Sequence, residues 1–131
     1  MNTSSRVFAA IGALSAATSV VIGAATAHAV NSDIAAQQSL IQTALHYQQF
    51  HALGLLAVGL LGAQRPSRWL LLAGLLMCAG SVLFSGNLYL RAFADIQTFR
   101  ALVPVGGGLL IFSWLALAIG LLRRSSRLDG Y

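Results

Sequence analysis

The length of the uncharged runs limits this chain more than any other feature. Trp69 to Leu90 is a stretch of 22 residues without Asp, Glu, Lys or Arg, Ala101 to Leu122 is another 22, and Val7 to Ser32 is 26. A helix rises 1.5 Å per residue, so about 20 residues cross the ~30 Å hydrocarbon core of a bilayer. Lipid offers no partner to a peptide group, so apolar runs of this length bond internally as helices. Composition agrees: 57% of residues are hydrophobic and 8% are charged, against about 25% charged in an ordinary soluble domain. Residues 1–131 therefore read as a single, all-α transmembrane domain.

The second apolar run is shorter. Ala52 to Gln64 is 13 residues, about 20 Å of helix, and it crosses only if it begins near His46. That start draws Tyr47, Gln48, Gln49 and His51 into the span. The arginines decide between three spans and four. With four, Arg6, Arg65, Arg68, Arg123, Arg124 and Arg127 share one side, and only Arg91 and Arg100 face the other. With three, the split is Arg6, Arg91 and Arg100 against five. Cytoplasmic loops carry the excess of basic residues, which favours four. The expected fold is a four-helix bundle in the cell's inner (plasma) membrane, up–down–up–down, with both termini cytoplasmic. Its spans are about 7–30, 46–64, 69–90 and 103–122, with an interfacial helix at about 34–45.

Two features compete with this reading. "ATAHA" (25–29) ends as a signal-peptidase site does, and Arg6 supplies a basic leader. The apolar run before it is longer than the usual 7–15-residue leader core. It also carries Gly12, Ala16, Ser19, Gly23 and Ala27 at helical spacing, a ladder that lets helices approach closely in lipid. The first span is expected to be retained. The formal charge of +5 raises nucleic acid as a partner, but the arginines flank apolar runs and form no patch, so none is expected.

Measured from the arginines, His28, Tyr47, His51, Ser85, Asn87 and Tyr89 lie in the outer half of the membrane. They form a candidate polar cluster, either structural or ligand-binding. His51 shares a helix face with Tyr47, Gly54 and Gly62 and is expected to be buried, with Ser85, Asn87 or Tyr89 as its partner. His46 is expected near water. Gly12, Gly23, Gly86, Gly106 and Gly107 are the expected helix-packing positions. No metal site is expected, because His46 and His51 are five residues apart and do not share a face. Catalytic residues and cofactors are not expected either: no acid lies within a span, and neither a phosphate-binding glycine motif nor a cysteine pair exists.

Four fragments carry a resemblance: "GAATAHAV" (23–30), "HYQQFHALGLL" (46–56), "LFSGNLYL" (83–90) and "PVGGGLLIFSW" (104–114). Together they resemble the YgdD-like family of small inner-membrane proteins, whose eukaryotic relatives are the transmembrane-256-type proteins. The likeness spans about residues 8–122 and departs from the family at Ala25 and Thr26, where Phe and Gly are usual. The family pattern falls on His28, Tyr47, His51, Ser85, Gly86, Tyr89, Pro104, Gly106, Gly107 and Trp114. The resemblance implies four retained spans and supplies no reaction. The expected function is a non-enzymatic accessory or assembly component, partnered by the bilayer and by another membrane protein or a second copy of itself. The alternative is a carrier or binding protein for a small or lipidic ligand.

Overall fold

The computed structural model describes residues 1–28 and 35–123. The candidate cleavage point after Ala29 and the tail arginines Arg124 and Arg127 lie outside them. The described residues are helical and contain no strand. Helix α1 is Thr3–His28, α2 is Ala35–Gln64, α3 is Arg68–Ser81, α4 is Asn87–Ala94 and α5 is Leu102–Leu122. A π-helical turn, Val82–Gly86, joins α3 to α4, so that Arg68–Ala94 forms one helical run of 27 residues.

Local chemistry sets the ends. Pro66 disfavours helical backbone at Arg65 and closes α2. Ser67 then sits in extended conformation and accepts the Trp69 amide on its hydroxyl, capping α3. At the far end Asp95 turns the chain in the left-handed region, φ 52°, a conformation Asp tolerates better than most side chains. Pro104 lies in the first turn of α5, where a missing N–H breaks no helical bond.

By length and composition, three helical segments among the described residues can cross a membrane: α1, Arg68–Ala94 and α5. Helix α2 falls outside that set because Gln37, Gln38, Gln42, His46, Gln48 and Gln49 crowd its first half. No break separates the stretch read as interfacial, about 34–45, from the span read at 46–64. They are one helix of 30 residues, about 45 Å long, so length no longer limits this element.

Glycine governs the packing. A Cβ on Gly12 would come within 2.7 Å of the Ala52 carbonyl oxygen and the Leu56 amide nitrogen. One on Gly59 would come equally close, 2.7 Å, to Ser5 O and Ala9 N. Contacts between α1 and α2 thus fall in opposite order along the two helices, with backbone on backbone. Gly74 admits the Phe8 ring, and Gly106 rests on the Leu83–Phe84 backbone. Phe8, Leu55, Val58, Leu70, Ala73, Met77, Ala116 and Leu117 form the core between these contacts. The Arg123 guanidinium lies 5.3 Å from the centre of the Trp69 ring and joins the end of α5 to the start of α3.

The five expected packing glycines divide. Gly12 and Gly106 make backbone contacts, and Gly23 and Gly107 would meet a neighbour only at 3.9 and 3.7 Å. Gly86 is a correction: nothing among the described residues lies within 4 Å of its Cβ position, because its place on the π turn directs that position away from the helices the turn packs against. Gly59, Gly74 and Gly80 hold close contacts in its place. A thermal melt in detergent separates the two kinds of glycine. Gly59→Ala should force α1 from α2 and cost about 1–3 kcal/mol. Gly86→Ala, at helical φ −58° and ψ −42°, should be neutral or gain up to about 1 kcal/mol from helix propensity.

Candidate functional site

The stretch "HYQQFH" places Tyr47 and His51 one turn apart on α2. The His51 side chain is 4% exposed, and both of its nitrogens are engaged. Nδ1 lies 2.7 Å from the Tyr47 carbonyl oxygen, and the Trp114 indole Nε1–H donates to Nε2 at 3.0 Å. A carbonyl can only accept and an indole N–H can only donate. The ring is therefore the neutral tautomer with its hydrogen on Nδ1. His51 and Trp114 are 63 residues apart, and their bond ties α2 to α5.

Aromatic rings surround this pair. Tyr47 stacks near His51 at 6.1 Å and 14° and meets Phe84 of the π turn at 4.4 Å. Phe50 lies 5.2 Å from Trp114. Between α2, the π turn and α5 these rings enclose a cavity of about 370 Å³, lined also by His46, Gly107 and Ile111. His46, Phe50 and Ile111 are exposed on the outside of the bundle, so the cavity opens sideways. Gly107 leaves the α5 wall without a side chain.

A second set of polar groups runs the other way. The Tyr89 hydroxyl donates to Gln48 Oε1, and Gln48 Nε2 donates to Ser15 O and Thr18 Oγ1, each at 3.0 Å. This chain links α4 to α2 and α1. Ser85, in the π turn, donates to the Ala44 carbonyl at 2.9 Å. Asn87 donates from Nδ2 to Phe99 O, pinning the loop before α5. Its Oδ1 is buried without a partner among the described residues.

The polar cluster is thus not one constellation. Tyr47 and His51 share the aromatic cavity, Tyr89 joins the Gln48 network, and Ser85 and Asn87 each bond to backbone. His28 stands exposed at the end of α1. His51 takes its partner from α5, not from Ser85, Asn87 or Tyr89 on the neighbouring span, because its ring turns towards Trp114. Spacing alone missed Gln48 and Trp114 as site residues. The signal for Trp114 was present in "PVGGGLLIFSW", where it ends a family-like fragment.

A protein family described as "Protein of unknown function (DUF423)" matches residues 22–107, more than half of the chain. The chain belongs to this family. A UPF0382 membrane protein of Staphylococcus saprophyticus is 39% identical over 118 residues, covering 88% of this chain and 96% of the relative. The UPF0382 inner membrane protein YgdD of Escherichia coli K12 is 32% identical over 120 residues, covering 91% and 92%. No solved structure matches the chain. This DUF423 protein is accordingly a membrane protein of the cell's inner membrane, in keeping with its apolar helices.

The His51–Trp114 bond makes a prediction for detergent melts. Trp114→Phe keeps an aromatic ring of smaller size and deletes the donor, leaving buried Nε2 unpaired. It should cost about 1 kcal/mol, and His51→Ala about 1–3 kcal/mol. Their double variant should fall short of the sum, since one bond is counted twice. His46→Ala should melt as wild type, and diethyl pyrocarbonate should label His46 before His51. Additive costs, or faster labelling at His51, would contradict the bond.

Proposed function

We propose that this chain is a non-enzymatic, four-span protein of the inner membrane, acting as a small accessory or assembly component. In this reading the spans run up–down–up–down, residues 1–131 form one transmembrane domain, and both termini are cytoplasmic. Six arginines against two support the orientation. Helix α2 then crosses with its second half, and its glutamine-rich first half extends to the outer interface. Retention of α1 is supported by the backbone contacts at Gly12 and Gly59, which need it beside α2.

The engagement of the buried polar groups carries the non-enzymatic reading. Both His51 nitrogens are bonded, and the Ser85 hydroxyl is tied to a backbone carbonyl. Neither is left as a free base or nucleophile. Assembly is supported by the outward face of α1, where Ala10, Ala13, Ala17 and Ala24 are exposed at helical spacing. Small side chains of this kind let a second helix approach in lipid, from another membrane protein or a second copy of the chain. Nucleic acid is no partner in this reading.

A second reading, a carrier or binding protein for a small or lipidic ligand, is favoured by the sideways-opening cavity of about 370 Å³.

Two experiments check these proposals. Alkaline phosphatase fused to the C-terminus should be inactive and a cytoplasm-dependent fluorescent fusion bright. An active phosphatase fusion would reverse the orientation. Native mass spectrometry after extraction in mild detergent should find α1 still attached and a stoichiometric partner that Ala17→Leu releases. A chain beginning at Val30 would contradict retention of α1. A bound lipid or quinone with no protein partner would favour the second reading.

A further inference from the structure

The cavity between α2, the π turn and α5 is walled by paired rings. Tyr47 lies 4.4 Å from Phe84, tilted by 40°, and Phe50 lies 5.2 Å from Trp114, tilted by 49°. The volume of about 370 Å³ falls at the lower end of the range of about 300–1,000 Å³ that holds drug-sized ligands. Aromatic walls favour a ligand that is itself a ring, because offset or edge-on contact between rings adds to simple burial.

Charge narrows the choice. Among the described residues no Arg or Asp lines this cavity. The His51 ring is neutral with both nitrogens engaged, and the Trp114 N–H is spent on it. The cavity of about 320 Å³ at the start of α3 differs, with Asn2, Ser4, Ser5, Ser67 and Arg68 among its lining. A charged ligand in the aromatic cavity would lack a counter-ion, a cost that a neutral ligand avoids. The uncommitted polar groups are the Tyr47 hydroxyl and the His46 ring, which make no hydrogen bond among the described residues. Both residues are exposed. Phe50 and Ile111 stand beside them, 55% and 64% exposed, so the mouth is apolar and opens towards acyl chains.

We infer that this cavity binds a lipid-soluble quinone, its ring packed against the aromatic walls, a carbonyl oxygen accepting from the Tyr47 hydroxyl and its tail leaving sideways into lipid. This ligand class rests on the second reading above, in which the cavity is a ligand site. A flat ring matches the walls, neutrality matches the lining, and a carbonyl acceptor matches a phenolic donor. An apolar tail matches the mouth. An acyl chain alone would use neither the rings nor the hydroxyl. A quaternary ammonium would use the ring faces but would find no carboxylate.

The full chain is melted in dodecyl maltoside, alone and with decyl-1,4-benzoquinone, decylbenzene or decyltrimethylammonium, which share a tail and differ in the head. Binding to the folded state raises Tm. The quinone should raise Tm by several degrees, and each of the others by less than half as much. Tyr47→Phe keeps the ring and deletes the hydroxyl, and Gly107→Leu puts a side chain on a bare wall of the cavity. Each should remove at least half of the quinone's effect, and Tyr47→Phe decides if Gly107→Leu does not fold. Tyr89→Phe, whose hydroxyl bonds to Gln48 outside the cavity, should retain it. A rise half as large or more with decylbenzene or decyltrimethylammonium overturns the quinone but leaves the cavity a site for an apolar or a cationic ligand. No rise with any probe overturns the quinone and the second reading together. The quinone is also overturned if Tyr47→Phe or folded Gly107→Leu keeps the full rise, or if Tyr89→Phe loses as much as Tyr47→Phe.

Discussion

Close approach of helix backbones is the constraint on which this bundle depends. In lipid there is no hydrophobic gain from bringing two greasy helices together, since the acyl chains are as apolar as leucine. What remains is dispersion, and dispersion decays steeply with distance. Gly12 and Gly59 set the distance between α1 and α2, and Gly80 and Gly106 set it between the π-turn region and α5. The same scarcity of driving force explains the exterior. Leu14, Val20, Val82 and Ile111 stand exposed because lipid is their solvent.

Once the backbones are close, polar side chains can reach across. The Trp114–His51 bond and the Tyr89–Gln48–Thr18 chain each join elements far apart in sequence. Individual bonds of this kind add about 0.6 kcal/mol in a membrane, so they select an arrangement more than they drive assembly. The π turn contributes to this selection. Turns of this kind are rare and concentrate at functional sites, and here one carries Phe84 to the cavity and Ser85 to the Ala44 carbonyl. The aromatic cavity adjoins the π turn at Phe84, and the cavity at Arg68 lies at the start of the same helical run. One is lined by rings, the other by donors, so they suit different chemistries.

Much of the fold was legible in the chain because lipid simplifies the code. An uncharged run of 22 residues has few alternatives to a helix, and Pro66, Ser67 and Asp95 mark ends by local backbone preference. Burial of His51 and exposure of His46 also followed from face and spacing. Gly86 and the partner of His51 did not. Periodicity assigns a residue to a helix face, but it does not say which helix covers that face or at what rotation. Gly86 sits in a small-residue context like that of Gly106, yet none of the described residues comes within 4 Å of its Cβ position.

The sequence by itself determined the helical state, the membrane as solvent and the family, because each follows from composition or short-range pattern. Only the tertiary structure decided that α2 is continuous through its polar half and that Trp114 completes the His51 ring. It alone divided the candidate polar residues between the aromatic cavity, the Gln48 network and separate backbone bonds, and brought Ser5 to face Gly62. The reason is that these outcomes depend on the order and rotation of helices around the bundle. Contacts tens of residues apart set that geometry, and no local preference encodes it.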